Sequence, residues 1–147
     1  MVEQKKFGII GRNISYSFSK KYFEDKFHRL MLKNHFYDVY DLQHLSEIET
    51  VFKTDGLVGL NVTIPFKEKV VPYLDELSDE AEKTGAVNCI LIKDQVKKGY
   101  NTDVFGFEKT LVLHRKDFHD PALDLGNGGA AKAVKYVLEQ HQIPYQT

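Results

Sequence analysis

Hydrophobic and polar positions switch along the chain between a period of two and a period near three and a half, the mark of strands alternating with helices. Phe7 to Ile10 form a short apolar run between Lys6 and Gly11, which predicts a strand. Phe23, Phe27, Leu30 and Met31 then recur at helical spacing, with Ser19 placed as the N-cap. A second strand is predicted from Phe36 to Leu42, with Phe36 and Tyr40 on one face and Tyr37 and Val39 on the other. Leu45, Ile48, Val51 and Phe52 make a helical stripe, and Asp55-Gly56 turns the chain into a third strand through Leu57, Val58, Leu60, Val62 and Ile64. Pro65 stops that strand and presets the backbone for a helix, which puts Lys67 in a first helical turn. Val70, Val71, Leu74 and Leu77 continue the helical face, with Pro72 kinking it.

Beyond this point Ser78 predicts a short helix through Lys83 that Gly85 closes. Val87 to Ile92 and Val96 to Tyr100 read as a hairpin around Asp94-Gln95, and Thr102 as the cap of a helix carrying Val104, Phe107 and Leu111. Composition breaks at Phe118 to Pro121. An apolar strand, Leu123 to Leu125, is followed by Gly126-Asn127-Gly128-Gly129-Ala130-Ala131, by a helix with Ala133, Val134, Val137 and Leu138, and by a strand at Ile143 to Tyr145. The order implies an α/β fold: a mixed, mainly parallel sheet with helices on both faces, then an incomplete Rossmann-like βαβ unit. The expected divisions are 1–103, a connecting helix over 104–118, and 119–147.

Totals narrow the function classes. In 147 residues, 20 basic side chains face 21 acidic ones, so no net field draws the protein to nucleic acid or anionic lipid. The single cysteine, Cys89, lies in an apolar run and reads as a packing residue, which fits a reducing, cytoplasmic setting. No apolar run has membrane-spanning length. The six histidines, His28, His35, His44, His114, His119 and His141, show no metal-ligand spacing.

Three constellations carry candidate chemistry, each with a plain structural alternative. Lys67 opposes the helix dipole predicted around it, and Asp103 falls just past another strand end. Together they are either a structural ion pair or a proton-handling pair, in which the carboxylate holds the ammonium charged and aimed at a carbonyl oxygen. The hydroxyls of Ser17, Ser19 and Thr63 and the amide of Asn88 are either caps and loop polarity or a carboxylate and hydroxyl site. Gly126 and Gly128 are either a tight strand-helix turn or a pyrophosphate cradle at a helix start.

The segments Gly11 to Ser19, Asn61-Val62-Thr63-Ile64-Pro65-Phe66-Lys67, Gly85-Ala86-Val87-Asn88, Asn101-Thr102-Asp103 and Leu125 to Ala130 together resemble the shikimate dehydrogenase family in order and spacing. The resemblance implies a substrate domain joined by helices to an NADP-binding Rossmann domain, a monomer or homodimer acting on shikimate and 3-dehydroshikimate. It makes Lys67 and Asp103 the catalytic pair. Ser17 and Ser19 would hold the substrate carboxylate, and Thr63, Asn88 and Asp103 its ring hydroxyls. Gly126, Asn127, Gly128, Gly129 and Ala130 would wrap the cofactor, with Asp79 able to reach it.

Lys20 stands where the family usually has proline, Cys89 where it has threonine and Asn127 where it has alanine. Family members are also much longer, so the expectation is an N-terminal fragment that is inactive alone. Two alternatives share the fold: a quinate/shikimate dehydrogenase using NAD, and a non-catalytic shikimate- or quinate-sensing domain. Retention of both Lys67 and Asp103 weighs against the sensor, which has no need of a proton-transfer pair.

Overall fold

A computed structural model describes residues 4–115 and 120–147. Six strands form one sheet: β1 (Lys5–Gly11), β2 (His35–Asp41), β3 (Leu57–Val62), β4 (Glu76–Leu77), β5 (Cys89–Lys93) and β6 (Val96–Tyr100), in the order β2-β1-β3-β5-β6-β4. β2, β1 and β3 run parallel, β5 pairs antiparallel with β3, and β6 pairs antiparallel with β5. The sheet is therefore mixed, and the antiparallel pairing of β5 with β6 allows the tight Asp94-Gln95 hairpin, both residues at positive φ.

Alternation along the strands divides the apolar residues between two faces. Ile9 and Tyr37 pack with Phe23 and Phe27 of α1 (Ser19–Arg29), where the Phe23 and Tyr37 rings stack at 4.5 Å. The opposite face buries Ile10, Leu60, Val62 and Ile90 against Ile48 and Val51 of α2 (Ile48–Phe52) and Ala81 of α3 (Asp79–Thr84). Ser78 caps α3 by accepting from the Ala81 N–H at 3.3 Å, and Gly85 closes it in the left-handed conformation at φ 61°.

Several sequence expectations are corrected. No α-helix begins at Pro65. Residues 63–70 are turns around a cis Ile64–Pro65 peptide, followed by a single 3-10 turn at Val71–Tyr73. Pro65 and Pro72 each lack an N–H, and Phe66 and Val70 plug the core individually instead of along one helical stripe. Leu77 lies in β4, not in a helix, and Ile64 is exposed past the end of β3. The α1 stripe stops at Phe27, because Met31 has positive φ and, like Leu30, points to solvent. Each of two helices begins one residue earlier than expected: Phe18 holds the N-cap position of α1, and Asn101 caps α4 (Thr102–His114) by accepting from the Asp103 N–H.

The last segment is a βαβ unit. β7 (Ala122–Leu123) and β8 (Tyr145–Gln146) pair in parallel around α5 (Gly129–Gln140), although β7 is shorter than the predicted strand and Leu125 is exposed beyond it. Ala133 and Val137 of α5 bury against Val104, Phe107 and Leu111 of α4. A unit too small for its own core is thus covered by the helix before it. The boundary expected at Phe118 to Pro121 and the expectation for His119 lie partly or wholly outside the described residues.

Candidate active site

One rim of the sheet collects every expected substrate residue. β1 and β3 end there, β5 begins there because it runs the other way, and β6 returns to end there. The rim therefore carries Ser17 and Ser19 after β1, Thr63 and Lys67 after β3, Asn88 before β5 and Asp103 after β6. The edge at which parallel strands end is the usual ligand edge of an α/β sheet.

Lys67 and Asp103 meet. The ammonium lies 2.7 Å from Asp103 Oδ2, with the two side chains 19% and 34% exposed, so the pair is partly screened from water. Because no α-helix follows Pro65, Lys67 opposes no helix dipole, and its placement follows from the turn. Its carbonyl accepts from the Val87 N–H at 2.7 Å, tying the turn to the approach of β5.

The other Asp103 oxygen accepts from the Asn88 amide at 2.8 Å, and Asn88 Oδ1 accepts from the Thr102 N–H at 2.8 Å. Behind them the buried Asn101 amide donates to the buried Thr84 hydroxyl at 3.0 Å, while Asn101 Oδ1 accepts from the Asp103 N–H. Both oxygens of Asp103 and its backbone are thus held before any ligand arrives.

The serines connect to the rim through Tyr37, which the sequence marks only as a strand residue. Ser17 Oγ accepts from the Ser19 N–H at 3.3 Å. The Ser19 hydroxyl bonds to the Tyr37 phenol, which donates to Asn61 Oδ1 at 2.7 Å. Burial pushes Tyr37 far above the usual phenol range and outweighs the Ser19 bond, which pulls it down. The available signal was alternation, since Tyr37 shares a sheet face with Ile9, whose register partner in β3 is Asn61. Burial likewise raises the Cys89 thiol, in keeping with a packing role.

A cavity of about 650 Å³ opens between the rim and the βαβ unit. Thr63, Lys67 and Glu68 line one wall; Gly126, Gly128, Gly129 and Ala130 line the other. Ser17, Ser19, Asn88 and Asp103 are not in its walls; the last two join it through Lys67. Asp79 is an exposed residue in the first turn of α3, also outside the walls.

The glycine wall fits an anionic group. A Cβ at Gly128 would meet nothing within 4 Å, and one at Gly126 only an ordinary contact with Ala131. The start of α5 has no side-chain cap and no acidic residue in its first turn, which leaves backbone donors available. Asn127 is exposed, its Oδ1 3.4 Å from Lys135 Nζ. Asp124, also in the wall, holds one oxygen buried without a hydrogen bond, 3.8 Å from the same ammonium. No acidic, His or Cys cluster among the described residues could hold a metal ion, and no helix there is long and apolar enough to cross a membrane.

The family model describing the shikimate dehydrogenase substrate binding domain matches residues 9–90. The shikimate dehydrogenase (NADP(+)) of Chlorobium chlorochromatii is 38% identical over 144 residues, covering 95% of this chain and 50% of the relative. That of Clostridium beijerinckii is 41% identical, covering 93% and 52%. Among solved structures, shikimate dehydrogenase 1 from Peptoclostridium difficile superposes with a TM-score of 0.85 at 33% identity, over 94% of this chain and 53% of that one. The Thermus thermophilus shikimate 5-dehydrogenase solved in complex with NADP(H) and shikimate gives 0.82 at 31%, over 97% and 54%. The chain spans about half the length of the curated relatives it matches. Fold and family model agree: this chain belongs to the shikimate dehydrogenase family.

Proposed function

We propose that the chain supplies the substrate site and part of the cofactor site of an NADP-dependent dehydrogenase that interconverts 3-dehydroshikimate and shikimate. The observation that carries this is the 2.7 Å contact between Lys67 and Asp103, with Lys67 facing a cavity whose opposite wall is the glycine-rich turn. NADPH, when bound, supplies a hydride to the carbonyl carbon. Lys67 Nζ gives a proton to the carbonyl oxygen as that oxygen gains charge, and in the reverse direction takes the proton of the hydroxyl. Asp103 holds the ammonium charged and in place.

Thr63 and Asn88 bond the ring hydroxyls, while Ser17 and Ser19 take the carboxylate. A site built to pair hydroxyls discriminates strongly against analogues that lack them. Gly126 to Ala130 hold the pyrophosphate against the start of α5. A lone unpaired cysteine suits a cytoplasmic setting for this chemistry.

The test is NADP+ reduction by shikimate, with quinate and NAD+ as comparators, using the protein that carries this sequence. Lys67→Ala is expected to lower turnover by about a thousandfold, the scale for removing a positioned acid, with little change in the shikimate KM. Turnover that survives the substitution overturns the assignment.

A further inference from the structure

The glycine-rich turn approaches Lys67 more closely than a cofactor cradle requires. A Cβ on Gly129 would fall 2.9 Å from Lys67 Cβ, 3.3 Å from Lys67 Cδ and 3.5 Å from Ala86 Cβ. Gly129 does not have the positive φ that would by itself demand glycine, so the requirement comes from the lysine's stem. The closest contact is to Lys67 Cβ, whose position is fixed by the backbone, and rotating the end of the lysine does not relieve it. Gly126 and Gly128 show no such contact.

One turn further along the same face of α5, Lys132 Nζ pairs with Glu68 Oε2 at 2.7 Å. Adjacent residues of the 63–70 turn are thus engaged by two residues of α5: Lys67 by Gly129, Glu68 by Lys132. A methyl on Gly129 would also reach Ala86 Cβ, whose neighbour Val87 donates its N–H to the Lys67 carbonyl at 2.7 Å.

We propose that Gly129 and Lys132 are positioning residues for Lys67: the helix that opens on the glycine-rich turn forms one wall of the channel that aims the ammonium at Asp103. This rests on the reading of Lys67 as proton donor and deepens it. A lysine stem has four rotatable carbons, and a walled channel removes the freedom that would otherwise disperse its charge. The βαβ unit then sets the proton donor's geometry in addition to binding the dinucleotide.

The test reads Lys67 directly. Lysine-selective 1H–15N spectra resolve ammonium groups whose hydrogen exchange is slowed by an ion pair, and the Lys67 signal is assigned by its loss in Lys67→Met. Gly129→Ala is expected to abolish or shift that signal, whereas Gly128→Ala, whose new methyl meets nothing, leaves it in place. Lys132→Met is expected to shift it by less, with the shift restored in the double reversal of Glu68→Lys with Lys132→Glu.

In the turnover assay Gly129→Ala should lower kcat at saturating dinucleotide, whatever it does to the dinucleotide KM. An unchanged Lys67 signal in Gly129→Ala, with only the dinucleotide KM raised, overturns the inference. Should Gly129→Ala fail to fold, an unchanged signal in Lys132→Met overturns it equally. Failure of the underlying reading looks different: Lys67→Met itself would keep its turnover.

Discussion

The rim and the glycine wall face each other across one cavity but are built on opposite plans. At the rim, polar groups are already engaged within the chain: Asp103 by Lys67 and Asn88, Asn88 by Thr102, Asn101 by Thr84, Tyr37 by Ser19 and Asn61. In the wall, the helix start is uncapped, two of its glycines meet little or nothing, and a buried Asp124 oxygen has no hydrogen bond. The first region is organised before a ligand arrives; the second keeps its donors available for one. Preorganisation lowers the ordering cost of binding, which suits the rim to the small hydroxylated acid proposed for it. Available amides at a helix start suit a larger anionic group that brings its own shape.

That contrast can be broken in decreasing steps. Asp103→Asn removes the charge facing Lys67 while keeping the side chain's size, and is expected to lower turnover about a hundredfold without loss of folded protein in circular dichroism. Unfolding of this variant would mean that the pair is structural. Asn101→Leu deletes the cap of α4 and leaves the buried Thr84 hydroxyl without its donor. A loss of about 2 kcal/mol in urea unfolding is expected, and an unchanged midpoint would show that the relay contributes nothing.

Tyr37→Phe acts through pH. Below the ordinary phenol value of 10 both folded and unfolded states keep the proton. Above it the unfolded chain ionises first, because burial holds the folded Tyr37 protonated, so stability falls as pH rises. The variant is expected to flatten that alkaline decline in thermal unfolding, and an unaltered slope would remove Tyr37 from the account. Glu68→Gln, in a half-exposed pair, should change stability by less than about 1 kcal/mol. A larger loss would make the wall as dependent on internal bonds as the rim.

Much of the architecture was legible because alternation and helical spacing are local properties. The order of strands and helices as far as Val62, the Ser78 and Gly85 limits of α3 and the Asp94-Gln95 turn all follow from neighbouring residues. What was not legible depends on distant partners. Val70, Val71, Leu74 and Leu77 are spaced like a helix, yet Leu77 is claimed by Gly99 of β6 and Val70 by the core. Ser19 looks like a cap because its hydroxyl's partner, Tyr37, lies far along the chain in β2. Lys67 and Asp103 were named together from the spacing of several motifs, but their meeting depends on β5 running backwards. Asp124 was read as part of an apolar strand and turned out to be a carboxylate in the cavity wall.

The hairpin of β5 and β6 has its closed end at Asp94-Gln95 and its two open legs at the rim, where Asn88 leads into one and Asp103 follows the other. The Asn88 N–H also donates to the Tyr100 carbonyl at 3.0 Å, so the legs are braced together at their tips. The residue before Asn88 also holds the Lys67 carbonyl, so the lysine shares that brace and the amide, carboxylate and ammonium keep their spacing as one unit.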